Sequence, residues 1–134
     1  MSLGEELFLL RFSYESGCAK SLDATSTSGE DGVLLWLYME NRAAMAGELA
    51  RALGLTSGRI ANILKKLDEK EMISREMGTS DKRKVYISLT EKGRERIEAK
   101  KSEEIAQYNR VLEKLGDKDA REYLRITRRI LELN

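Results

Sequence analysis

The sequence predicts a mostly α-helical chain with one small β-hairpin, and three observations predict it. Apolar residues recur at helical spacing in six stretches, two short central segments instead alternate apolar with polar residues, and none of the 134 positions is proline. At this length the chain makes one domain and is too short for two comfortable ones.

Taken in order, Leu3, Leu7, Leu10 and Tyr14 fall at helical spacing, with Phe8, Leu9 and Phe12 widening the stripe. The first helix is therefore apolar over more surface than a small core needs. Gly17 and the Ser/Thr-rich stretch from Ser21 to Gly29 end it. Thr27 and Glu30 make a capping-box pair for a second helix. Its centre, Val33 to Met39, is apolar on every side, as in a helix surrounded by others. Asn41 and Arg42 form its stop. A third helix over 47–53 turns Leu49 and Leu53 inward and keeps Ala50 small for a close crossing, while Gly54 permits a sharp turn. Thr56 or Ser57 caps a fourth helix, whose Ile60, Ile63, Leu64 and Leu67 lie at i, i+3, i+4 and i+7 and form the buried face. The opposite side carries Gly58, Asn62 and Lys65, flanked by Arg59 and Lys66, with no acidic residue before Asp68.

Two alternating segments follow. Ile73, Arg75 and Met77 interleave with Ser74 and Glu76, and Val85, Ile87 and Leu89 with Tyr86 and Ser88. Gly78 to Arg83 joins them as a hairpin tip. Thr90 caps a long helix that is polar through its first half and regains an apolar stripe at Ile105, Tyr108, Leu112 and Leu115. Gly116 breaks it, and Asp117 or Asp119 caps a last helix bearing Tyr123, Leu124, Ile126, Ile130, Leu131 and Leu133. The apolar surface of the first and last helices would stay wet in a monomer, so a two-fold homodimer is expected. The expected organisation is a single domain over 1–134. Dimerisation helices occupy 1–26 and 105–134, a winged helix-turn-helix core 27–93, and a long connecting helix 90–115.

Composition narrows the function. No apolar run approaches the roughly 20 residues that span a bilayer, and the start lacks the basic region and cleavage site of a secretory leader, so no membrane partner is expected. The single cysteine excludes an internal disulfide and fits a reducing cytoplasm, and the absence of histidine excludes a histidine-ligated metal. No metal or cofactor is expected. There is no glycine-rich phosphate loop and no isolated carboxylate pair, so no catalytic residue is nominated and the chain is not expected to be an enzyme. Net charge is only +1, but its distribution is uneven: residues 1–47 carry 3 basic and 7 acidic side chains, and residues 48–96 carry 12 and 8. The positive excess lies where a phosphate-binding face would need it. A helix-turn-helix followed by a charged hairpin is suited to enter a major groove and touch the neighbouring backbone.

Certain residues sharpen this. Leu49-Ala50 precedes Leu53-Gly54, the helix reads SGRIANILKKLDEKEMI, Arg75 stands two positions after Ile73, Ser80-Asp81-Lys82-Arg83 forms the tip, and Leu89-Thr90-Glu91-Lys92-Gly93 follows. In these features the chain resembles the MarR family of bacterial winged-helix regulators. The resemblance implies a cytoplasmic, bacterial or archaeal homodimer that binds a palindromic operator in double-stranded DNA as a transcriptional repressor, often released by a small phenolic or other amphipathic effector. Two positions depart from the family pattern. Glu71 stands where the family usually has glycine at the end of the recognition helix, and the third helix starts without a Ser, Thr or Asp cap.

Arg83 is the leading contact residue: at the tip it reaches a minor groove or phosphates, as the resemblance implies, while Asp81 locks the loop or orients the arginine. The bland alternative is a solvated charged turn. Ser80, Lys82 and Lys84 join the tip, the lysines adding phosphate attraction. Arg59 and Asn62 are the candidates for reading bases, pairing with guanine and adenine. Ser57 and Gly58 suit a phosphate at the helix start. Lys65 and Lys66 touch backbone or are ordinary solubilising lysines. Arg75 either contacts DNA or braces the wing. Trp36, Tyr38 and Met39 line an effector pocket or are simply core. Two other readings stand beside DNA binding: a winged helix used for protein–protein contact, and a thiol-based redox sensor acting through Cys18, against which a structural thiol is the simpler reading.

Overall fold

The periodicities become real elements in the computed structural model, which describes residues 1–17 and 29–133. Cys18, Thr27 and the side chain of Tyr14 lie outside the described residues. The order is α1 (Leu3–Gly17), α2 (Gly29–Glu40), α3 (Ala46–Leu53), α4 (Ser57–Glu69), β1 (Ile73–Met77), β2 (Val85–Leu89), α5 (Glu91–Leu115) and α6 (Asp117–Glu132). Two compact units result, one from Met1–Leu22 with Ala99–Asn134 and one from Asp23–Glu98. No described helix is long and apolar enough to cross a membrane.

In the 23–98 unit the core forms where the sequence patterns converge. Val33, Leu34 and Leu37 of α2 meet Leu49 of α3, and Ile60, Leu64 and Leu67 of α4, all nearly sealed from solvent. Gly54 takes φ 66°, and the α3 C-terminus closes with Leu55 N–H donating to Ala50 O and Gly54 N–H to Arg51 O. This paired closure is the Schellman arrangement. The α4 C-terminus closes the same way, with Met72 N–H to Leu67 O and Glu71 N–H to Asp68 O, but the left-handed residue is Glu71 at φ 61°. The departure from glycine thus leaves the geometry intact and places the strain on a glutamate. Met45 stands at the N-cap of α3 with no side-chain capping bond. Thr56, rather than Ser57, caps α4: its Oγ1 accepts from Arg59 N–H at 3.1 Å.

β1 and β2 pair antiparallel, Ile73 opposite Leu89 and Met77 opposite Val85. A third segment joins them that no alternating run announces. Ala44 N–H donates to Ile87 O at 2.9 Å and Ile87 N–H to Ala44 O at 2.7 Å, on the side of β2 away from β1. Thr90 begins α5 as expected, accepting from Gly93 N–H at 3.0 Å, and it also donates to Glu71 O at 2.7 Å. Gly93 is buried under the Met72 carbonyl, and a Cβ there would overlap that oxygen. The Leu-Thr-x-x-Gly run is therefore a fastening between the end of α4 and the start of α5.

In the other unit, Leu7 of α1, Leu112 of α5, and Ala120 and Leu124 of α6 form the core, with Leu3, Leu10 and Tyr108 packed against it. Asn109 Oδ1 accepts from Gly4 N–H at 2.8 Å, satisfying an amide at the open start of α1. Arg11 donates to Tyr108 OH at 2.8 Å. The expected Asp117 or Asp119 cap is corrected: Gly116 stands at the N-cap with φ 96° and no side-chain capping bond, and Asp117 instead pairs with Arg121 at 3.0 Å. Both aspartates still sit in the first turn, where the helix dipole favours them.

Candidate nucleic-acid interface

The α4 face opposite its buried residues is fully solvated. Ser57, Gly58, Arg59, Asn62, Lys65 and Lys66 are all exposed, and no acidic side chain interrupts them before Asp68. With Thr56 engaging Arg59 N–H, the remaining first-turn amides open beside Ser57 and Gly58, the geometry that draws an anion to a helix start. Arg59 bends back along the protein: a Cβ on Gly29 would lie 3.8 Å from its Nη2 and 2.6 Å from Ile63 Cδ1. Glycine at the start of α2 therefore gives the Ile63 side chain and the arginine room.

The wing tip is a closed loop. Gly78 N–H donates to Lys84 O at 2.8 Å, and Lys84 N–H to Asp81 O at 3.1 Å. Asp81 collects three bonds from one residue: Arg83 N–H at 3.0 Å, Nε at 3.2 Å and Nη2 at 3.3 Å. These bonds hold the Asp81 carboxyl below the usual carboxylate range, the side-chain bond first and the backbone bond second. Arg83 nevertheless leaves 92% of its side chain in solvent. The loop fixes the direction of the guanidinium without covering it. Ser80, Lys82 and Lys84 are exposed around it.

Arg75 belongs to a different structure. Its Nε and Nη2 both reach Asp68 Oδ2 at 2.8 Å, tying β1 to the last turn of α4. The pair is a brace for the wing, one of the two readings open in the sequence. Of Trp36, Tyr38 and Met39 on α2, the tryptophan is buried and the other two are half-buried. At about 100° per residue, Trp36 and Tyr38 project from nearly opposite sides of α2. Trp36 is 5% exposed beneath the Arg42 guanidinium, 5.0 Å from its ring centre, and Tyr38 lies beneath Arg94 at 5.5 Å.

Sequence reasoning missed the Arg42 cluster. Its guanidinium, over Trp36, makes a two-pronged bond to Glu48, with Nη1 to Oε1 at 3.1 Å, and this bond lowers the Glu48 pKa. It also missed Lys70 Nζ on Glu30 at 2.6 Å, joining the end of α4 to the start of α2. Neither pair follows a spacing rule, since the partners meet only once the helices pack. Among the described residues no group of three or more His, Cys, Asp or Glu side chains could hold a metal ion.

An exposed, basic second helix beside a hairpin with a cationic tip defines a winged helix-turn-helix protein. Residues 26–100 match the transcriptional regulator SarA/Rot family, and the protein belongs to that family of regulators. The MarR resemblance meets the same fold. MepR of Staphylococcus aureus, a transcription regulator of the multidrug efflux pump MepA, superposes with a TM-score of 0.65 at 22% identity, over 83% of this chain and 82% of its own. A mutant MepR bound to an oligodeoxyribonucleotide gives 0.60 at 20% identity, over 97% and 92%. A mutant ZitR of Lactococcus lactis gives 0.58 at 23% identity, over 99% and 95%. MepR and ZitR are MarR-family winged-helix regulators, and SarA/Rot is a related winged-helix family. No curated protein sequence matches the chain.

Proposed function

We propose that the protein is a sequence-specific regulator that binds double-stranded DNA as a homodimer. The observation that carries this reading is the exposed α4 face, basic and free of acidic side chains for its first three turns, set beside an Arg83 that its own loop aims into solvent. α4 enters the major groove, Arg59 and Asn62 read base edges, and Lys65, Lys66, Lys82 and Lys84 meet phosphates. Ser57 and Gly58 hold a phosphate at the helix start, and Arg83 reaches along the backbone to the next groove. Arg75 acts by bracing the wing. MepR, of the same fold, has been seen on an oligodeoxyribonucleotide. Repression relieved by a small ligand is the mode that the MarR resemblance implies.

The homodimer draws support from α6. Tyr123, Ile126, Ile130 and Leu133 repeat along one side of it, and all are exposed, as are Val111 and Leu115 near the end of α5. A regulator with two-fold symmetry places two recognition helices about one turn of DNA apart. Selecting bound duplexes from a random pool tests both parts, because a palindromic consensus is expected. Arg83→Ala should weaken binding to the selected duplex and lower the salt slope by about one unit. Micromolar or weaker affinity for every duplex at low salt would overturn the reading in favour of a protein-binding winged helix.

A further inference from the structure

The wing carries an apolar pair that the contacts proposed above do not use. Met77 and Val85 face each other at the outer end of the ladder, 65% and 37% exposed. Which side of the hairpin they occupy follows from strand geometry. Directly opposed residues and those two apart share a face, so Met77 and Val85 lie on the face of Ile73, Arg75 and Ile87. Ile73 and Ile87 are buried there, and Arg75 reaches Asp68 of α4. The pair therefore continues the inner face of the wing outward, past the end of α4 and toward the tip.

Ile87 turns both its backbone groups to Ala44, so Arg75 and Ile87 are a non-hydrogen-bonded pair. Alternation along the ladder makes Met77 and Val85 another. In such pairs the Cα atoms are about 4.5 Å apart and the side chains close up into one unit. Exposed Lys82, Arg83 and Lys84 adjoin this unit at the tip. An apolar contact rimmed by cations matches the chemistry of a nucleic-acid backbone, where the deoxyribose presents C–H surface between phosphates.

We infer that Met77 and Val85 pack on a deoxyribose of the strand that crosses between the groove entered by α4 and the groove reached by the wing tip. The inference rests on the DNA-binding reading and adds a contact that carries no charge. It positions the wing through the sugar, independently of counterion release.

The test compares the full-length protein with the Met77→Gln/Val85→Thr double variant on the selected duplex. Both replacements keep side-chain length or branching while making the surface polar. Affinity should fall by about fivefold to tenfold, the scale set by the apolar area involved, with the salt slope unchanged. Hydroxyl-radical footprinting, which attacks the sugar, should lose protection at one or two nucleotides per half-site. Arg83→Ala should instead alter the slope. If the double variant melts early, Met77→Gln alone provides the same comparison at the more exposed site. Wild-type protein that binds no duplex overturns the DNA reading and this contact together. Wild-type binding with unchanged variant affinity and footprint overturns the contact alone. A variant that keeps its DNA binding but loses mass in ultracentrifugation assigns the pair to a second copy of the chain, which also overturns it.

Discussion

Two single residues concentrate local strain and local charge, Glu71 at the end of α4 and Asp81 in the wing tip. Glu71 holds a left-handed backbone that costs a non-glycine residue roughly 1–2 kcal/mol, while glycine would be freer in the unfolded chain by up to about 1 kcal/mol. Glu71→Gly should therefore raise stability by up to about 1 kcal/mol in urea unfolding, with duplex affinity unchanged. A fall in stability would show that the Glu71 side chain has a role the backbone does not explain. Asp81 works by charge. Its pKa is lower in the folded chain than in the unfolded one, so the Arg83 bonds stabilise the loop above about pH 4 and are lost as pH falls through the depressed folded value. The wing arginine is thus held throughout the neutral range. In an NMR titration the Asp81 carboxyl should ionise below an ordinary aspartate, and Arg83→Ala should return it toward the usual range.

At the scale of elements, the start of α5 settles the base of the wing. Thr90 caps α5 and grips Glu71 O, while Gly93 lets the helix pass under the Met72 carbonyl. Gly93→Ala should cost about 1–3 kcal/mol, because backbone rather than a flexible side chain must move aside. A midpoint in denaturant within error of wild type would mean the approach relaxes easily. The sequence announced both residues through one run, LTEKG, yet their partners, Glu71 and Met72, lie in a turn about twenty positions earlier and are invisible to periodicity. The helical faces were legible because burial follows a 3.6-residue repeat, as Ile60, Ile63, Leu64 and Leu67 demonstrate. Ala44 was not, since one bridging residue has no period. The wing strands were legible as strands, although Met77 and Val85 continue an apolar alternation beyond the point where it is buried. The exposure of the α4 face was readable from the same repeat, whereas Arg75 required the fold to show its pairing with Asp68.

For the whole molecule, the proposed dimer sets the arrangement of the two DNA-reading units. Ile126 is 45% exposed on α6 among Tyr123, Ile130 and Leu133, and a surface substitution there should change monomer stability by no more than about 0.5 kcal/mol. Ile126→Glu should halve the mass in analytical ultracentrifugation and weaken binding to a palindromic duplex far more than to one half-site. Unaltered mass would remove α6 from the interface.

The two hydrogen bonds between Ala44 and Ile87 have a further consequence in the order of folding. They join segments on either side of α3, α4 and β1, so they close a ring that contains the whole helix-turn-helix. The hairpin by itself would leave the outward backbone groups of Ile87 without protein partners, so its inner strand is complete only when the chain before α3 arrives. Closing so long a loop is unfavourable until packing inside it compensates. The Ala44–Ile87 bridge is therefore expected to form together with the core packed inside the ring, rather than ahead of it.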